Sequence, residues 1–351
     1  MNEFSDPIYI WYTGNKRDLP WRKTTDPYKI WLSEIILQQT RVAQGLEYFD
    51  RFVENFPTIS DLASSSEDEV LKLWQGLGYY SRARNLHFTA QYIQKKYNGI
   101  FPSDYLSILN LKGVGEYTAS AIASIAFNLP YAVVDGNVFR LLSRYFGIED
   151  PIDSSEGKKK FRTLASELID KSNPGLYNQA VMEFGALQCV PVNPDCDNCP
   201  LVYSCYAFIN KKVAALPVKK GKTKIRNRFF NYFVLYTDDS VFLKKRTAND
   251  IWKNLFEFPL VETENQEAAD SAISMFSTFF CKTAKMLHIQ TVSGWKVHLL
   301  SHQRIYYRFI ELYTENEKEI TSTLIKVSKK DIFNFAVPKL LENFINKSGL
   351  F

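Results

Sequence analysis

No stretch of this chain runs through as many as about 18 apolar residues, which excludes a membrane-spanning helix on length alone. The N-terminal segment lacks a basic start followed by an apolar core, so no secretory leader is expected. Cysteine is scarce. There are five in 351 residues, and four of them crowd between positions 189 and 205. That usage argues against a disulfide framework and for a metal centre in a reducing compartment, with the cytoplasm as the expected location. No internal repeat or low-complexity tract is present. A broad excess of one charge is also missing. The formal charge of +5 comes mostly from a short run holding Lys219, Lys220, Lys222, Lys224 and Arg226. Net charge alone is therefore a poor argument for a nucleic-acid partner. What remains is 46% apolar and 15% aromatic, and long enough for two domains.

Strand-like alternation is scarce before residue 210. Leu86, Ala90, Ile93 and Tyr97 fall at helical spacing within 82–97, and segments 30–39, 67–75, 117–127 and 158–171 behave similarly. An all-α domain is expected over 1–212. The basic stretch from Lys211 to Arg228 shows no periodicity and reads as a linker, assigned to 213–226, serving either solubility or general phosphate contact. Beyond it, 229–236 and 241–245 read as a β-hairpin around Asp238-Asp239-Ser240. Segments 295–300 and 304–313 read as a second strand pair. With helices expected at 265–280 and 338–345, residues 227–351 form a smaller α+β domain.

Cys189, Cys196, Cys199 and Cys205 follow the pattern C-x6-C-x2-C-x5-C. Four thiolates in so short a window suit tetrahedral zinc or a cubane iron–sulfur cluster. Leu111-Lys112-Gly113-Val114-Gly115 precedes a helix, whose N-terminal N–H groups can face a phosphate while the glycines allow a tight turn. Glu34 has Ile30, Trp31, Leu37 and Gln38 as helical neighbours. On such an apolar face a carboxyl is pushed toward neutrality and suits a general acid, unless it snorkels out or pairs with a lysine. Asp135, before Gly136-Asn137, reads by default as a helix N-cap.

The cysteine spacing, WLSEIILQQTRV, GLGYYSRARNL and VVDGNVFRLLSR together resemble the endonuclease III and MutY superfamily of DNA glycosylases, over nearly the whole chain. The resemblance implies an all-α helix-hairpin-helix glycosylase domain whose cysteine loop (189–205) holds a structural [4Fe–4S] cluster. Gly113 and Gly115 would form the phosphate-gripping hairpin, with Lys112 where relatives carry proline. Glu34 would protonate adenine and later activate water, and Asp135 would stabilise or trap the cationic sugar. Asn137 and Tyr117 would orient these carboxylates. Lyase relatives carry lysine where this chain has Tyr117, so a monofunctional glycosylase is implied.

By the same correspondence Trp21 and Arg22 line an adenine pocket and Gln179 reads the adenine edge. Gln39 fills the gap left by a flipped adenine, and Tyr79 wedges beside oxidised guanine. The second domain resembles a Nudix domain, with Ser301 and His302 reading the lesion and Leu300 where relatives often have phenylalanine. Only Glu267 and Asp270 lie in the stretch where an active Nudix hydrolase needs clustered glutamates, so nucleotide hydrolysis is not expected. The implied partner is duplex DNA carrying adenine opposite 8-oxoguanine or guanine, bound by a monomer. Rival readings are a thymine or uracil mismatch glycosylase, a lyase, and a DNA-binding protein without catalysis.

Overall fold

The computed structural model describes residues 3–221, 225–281, 287–315, 317 and 320–351, so Lys222 and Lys224 of the basic stretch lie outside the described residues. The chain divides into two compact units, one of residues 1–64 with 85–221, the other of 65–84 with 222–351. No helix among the described residues is long and apolar enough to cross a membrane.

The first unit is helical. Asp26 starts α2 (Pro27–Leu37) by accepting the Tyr28 N–H at 2.9 Å, and Pro27 occupies a position that needs no donor. The helix stops at Leu37, before Gln39 turns left-handed with φ +55°; the expected span of 30–39 began late and overran this stop. Ser154 likewise caps α10 (Ser155–Leu168), which lies earlier than the expected 158–171. Ile8 and Tyr12 of α1 (Ser5–Asn15) join one buried cluster with residues of two later helices. These are Val138 and Leu141 of α9 (Gly136–Phe146), and Tyr177, Val181 and Phe184 of α11 (Pro174–Leu187). In the middle, α8 (Glu116–Phe127) packs on α2 and α11, and α11 packs on α9. Those pairings bring Glu34, Tyr117, Asp135 and Gln179 to one place.

Among the described residues the second unit holds α5 (Glu67–Leu73) and a sheet of eight strands. Strand β1 (Arg226–Tyr236) pairs antiparallel with β2 (Ser240–Lys245), the expected hairpin. Strands β6 (Lys296–Leu299) and β7 (Gln303–Tyr313) form the expected second pair, with Leu299 opposite Arg304. Beyond these expectations, β1 and β7 run parallel over their full length, from Arg226 beside Gln303 to Tyr236 beside Tyr313. Helix α13 (Ala269–Phe280) places Ala272, Phe276 and Phe280 over Phe233 and Ile310, which closes the core. Arg226 and Arg228 were read as part of the basic linker, but both lie in β1. Arg228 is 5% exposed and neutralised by carboxylates, so it is no phosphate contact.

Candidate active site

A cavity of about 840 Å³ opens in the helical unit. Glu34, Tyr117, Asp135 and Asn137 line it together with Trp21, Arg22, Gln39 and Gln179, so eight residues singled out from sequence share one space.

Glu34 sits on α2, 9% exposed. Burial drives its carboxyl up to about 7, a hydrogen bond from Tyr117 opposes the rise, and the nearby Asp135 charge adds to it. The Tyr117 hydroxyl also reaches Met182 Sδ at 3.4 Å. Asp135 is indeed the N-cap of α9, and it faces the cavity as well. Its Oδ1 accepts the backbone N–H of Asn137 (2.9 Å) and Val138 (2.7 Å), and its Oδ2 accepts Asn137 Nδ2 (2.9 Å). Burial raises this carboxyl above its ordinary value, and those three donors oppose the rise only in part. Two carboxyls in one cavity are thus placed in different settings, Glu34 with the Tyr117 hydroxyl as a donor and Asp135 with three nitrogen donors.

Asn137 is held in turn. Its Oδ1 accepts Arg140 Nη2 at 2.8 Å, and Arg140 also donates to the carbonyls of Gly185 and Cys189 at 2.7 Å each. Gly185 permits this approach, since a Cβ there would lie 2.9 Å from the Asn137 carbonyl oxygen.

The sequence reading missed Glu183 and Arg17 on the adenine-pocket side. Glu183 is 1% exposed and receives both guanidinium groups, from Arg17 (2.9 and 2.6 Å) and Arg22 (2.8 and 2.6 Å). Burial alone would raise its carboxyl, but the bonds from Arg22 and Arg17 outweigh it and take the value to about 2. A lone glutamate in the run Met182-Glu183-Phe184 carries no signal of this; its partners lie more than 160 positions away. Gln179 accepts from Tyr12 Oη at 3.2 Å, and Trp21 packs edge-on to Phe49.

Gly113 and Gly115 do not line the cavity; they shape the hairpin between α7 (Tyr105–Leu109) and α8. The tight turn needs only one of them. Gly113 has φ +83° and abuts Asn85, whereas Gly115 is extended with open space around it. What Gly115 leaves is a helix start without a side-chain cap.

In the second unit Tyr79, Ser301 and His302 line a separate cavity of about 440 Å³. The hydroxyls of Tyr79 and Ser301 are hydrogen-bonded, and Tyr79 itself is left-handed at φ +47°. Asp250 and Trp252, unforeseen from sequence, complete this wall.

Cys189, Cys196, Cys199 and Cys205 line one small cavity with Leu141, Phe184 and Arg144. Arg144 Nη1 lies 3.5 Å from Cys189 Sγ. Burial, the largest cause, and the neighbouring thiols raise Cys196, Cys199 and Cys205, with Cys199 reaching about 11. Among the described residues no three of His, Cys, Asp and Glu form a group that could hold a single metal ion.

Fold and site together define a helix-hairpin-helix base excision glycosylase. Residues 32–170 match the model of the HhH-GPD superfamily base excision DNA repair proteins, and 231–347 match a NUDIX domain. The chain is 37% identical over 353 residues to the adenine DNA glycosylase of Buchnera aphidicola from Acyrthosiphon pisum, covering 97% of each chain. It is 34% identical to the Arabidopsis thaliana adenine DNA glycosylase, over 92% of this chain and 58% of that one. A thermostable thymine-DNA glycosylase of known structure superimposes with a TM-score of 0.55 at 30% identity, covering 59% of this chain and 95% of its own. The chain belongs to the adenine DNA glycosylase family.

Proposed function

We propose that this enzyme hydrolyses the N-glycosidic bond of adenine mispaired with 8-oxoguanine or guanine in duplex DNA, as a monomer and without cutting the strand. The observation that carries this reading is the pair Glu34 and Asp135, converging on one cavity, both carboxyls raised by burial, with Asp135 alone holding three hydrogen-bond donors against that rise. A neutral Glu34 can hand its proton to the ring nitrogen N7 of an extruded adenine, making the base a better leaving group. As the C–N bond lengthens, positive charge grows on the sugar, and the Asp135 carboxylate stabilises it. The deprotonated Glu34 then takes a proton from the attacking water. Gln179 supplies an amide for the adenine edge, while Arg22 stays locked to Glu183 beside it. Tyr117 offers no amine for a Schiff base, which supports a monofunctional enzyme.

The resemblance to the endonuclease III and MutY superfamily, which selects a [4Fe–4S] cluster over zinc for the four cysteines, is the ground for placing one here. Four sulfurs border one apolar cavity, and an arginine donor faces one of them. Cys189, Cys196, Cys199 and Cys205 would hold the cluster. When bound, the group supplies a fixed loop shape and no redox step in base excision. Tyr79, Ser301 and His302 read the base opposite adenine, with Gln39 filling the gap.

The test is incubation with a duplex carrying adenine opposite 8-oxoguanine. Free adenine, strand breaks only after alkali and no adduct on borohydride reduction are expected. Release of thymine from a mismatch in place of adenine, or breaks without alkali, would overturn the assignment.

A further inference from the structure

We infer that Arg228 is a positioning residue that sets discrimination between oxidised and ordinary guanine, by holding the Ser301–His302 turn in register with the Asp250–Trp252 wall. This rests on the reading of Ser301 and His302 given above.

Arg228 looks from sequence like the end of a basic linker. Its guanidinium is instead buried, and all five of its N–H donors are used. Nε and Nη2 reach Glu262 (2.7 and 2.6 Å), and Nη1 and Nη2 reach Asp250 (2.9 and 2.8 Å). The two carboxylates already offset the charge. The remaining donor, on Nη1, goes to Gln303 Oε1 at 3.3 Å, the residue that follows Ser301-His302. The strand carrying Arg228 grips the same turn through its backbone, since the Arg226 N–H donates to His302 O at 3.0 Å. The turn closes on itself through Leu300 N–H to Gln303 O at 2.8 Å.

The opposite wall is equally fixed. Arg246 donates to Asp250 Oδ2 at 3.0 Å and to the Ile251 carbonyl at 3.1 Å. Trp252 and Asn254 are both left-handed, φ +58° and +66°, strain that persists only where surroundings over-determine it. One planar, five-donor fork therefore spans the loop and the turn that face each other across the cavity. Oxidised guanine differs from guanine by one N–H and one carbonyl, so telling them apart needs hydroxyl and imidazole held to a fraction of an ångström.

The experiment measures single-turnover rate and affinity on adenine opposite 8-oxoguanine and opposite guanine, for Arg228→Gln, Arg228→Lys, Gln303→Met and Ser301→Ala. Gln303→Met removes only the bond to the turn and leaves both carboxylates paired, so it carries the test if Arg228→Gln fails to fold. Preference for oxidised guanine is expected to fall about fivefold in Gln303→Met, the worth of one hydrogen bond. It should fall at least as far in Arg228→Gln, with Arg228→Lys between, while the rate opposite guanine stays within about twofold. A parallel fall on both substrates would mean a structural role only and would overturn the inference. So would unchanged preference in Gln303→Met when Ser301→Ala changes it. If Ser301→Ala leaves preference unchanged, the reading of the turn itself is wrong, and this inference falls with it.

Discussion

The hydroxyl of Tyr79 and the hydroxyl of Ser301 are hydrogen-bonded to each other, 222 positions apart in sequence. If Tyr79 and Ser301 meet the base opposite adenine as proposed, side chains joined in this way should act as a unit. Double-mutant analysis with Tyr79→Phe and Ser301→Ala, read as affinity for the adenine:8-oxoguanine duplex, is expected to show a coupling of about 1 kcal/mol. Strictly additive losses would mean that the bond is absent once DNA is bound.

In the proposed mechanism Glu34 sets the pH dependence. Its ordinary value of 4.5 is raised to about 7 by burial, so the acid needed for the first proton transfer is present below neutrality and disappears above it. Single-turnover adenine release should therefore fall as pH rises past about 7, approaching tenfold per pH unit. A flat profile up to pH 9 would remove Glu34 from the role of acid.

The same shift predicts a stability effect of opposite reading for the amide. The fold favours the neutral carboxyl, so its stabilising contribution is complete below about 4.5 and is lost as pH climbs through about 7. Glu34→Gln should melt progressively higher than the parent between pH 5 and pH 8, by up to on the order of 3 kcal/mol. A gap that stays constant with pH would contradict this.

Much of this site can be read in the chain itself, and the reasons for the exceptions are physical. Helical spacing over 82–97 and the aromatic hairpin around Asp238 are local signals, and they appear where expected. The Glu183–Arg17–Arg22 pairing and the Arg228 fork are not local. Both join side chains whose sequence neighbours say nothing about their burial. The parallel alignment of β1 with β7 is likewise invisible to a period-2 pattern, which reports which face is buried and not which strand lies beside it. Asp135 shows a third kind of limit. The capping pattern identifies its place at the start of α9, while the role proposed for it in catalysis came from the family resemblance and is compatible with the cavity it faces.

Gln39 is exposed and left-handed just past the end of α2, a position that glycine usually fills. A glutamine there costs stability, which the proposed gap-filling role of its side chain would explain. Gln39→Gly should raise thermal stability by up to about 1 kcal/mol and lower the rate on duplex substrate, leaving the fold intact. Loss of stability in this variant would show that the side chain serves the folded state and not the DNA.

Glu183 offers the sharpest separation of pocket from scaffold. Its carboxylate is the common acceptor for Arg17 and Arg22, and Arg22 faces the same cavity as the two catalytic candidates. Because its value is depressed from 4.5 to about 2, the pairing is complete above about 4.5 and is lost only as pH falls through about 2. Acid therefore does not disturb the Arg17–Glu183–Arg22 pairing in the range where Glu34 becomes fully protonated. Glu183→Gln keeps the shape but leaves two guanidinium groups without their counter-charge. It should destabilise the helical unit by about 2 kcal/mol, a value discounted because Arg17 is partly exposed. Adenine release should fall at least about tenfold even at temperatures where the variant is fully folded, since a misplaced Arg22 disturbs substrate orientation. If the folded variant excises adenine at the parental rate, the Arg22–Glu183 pair belongs to the scaffold alone.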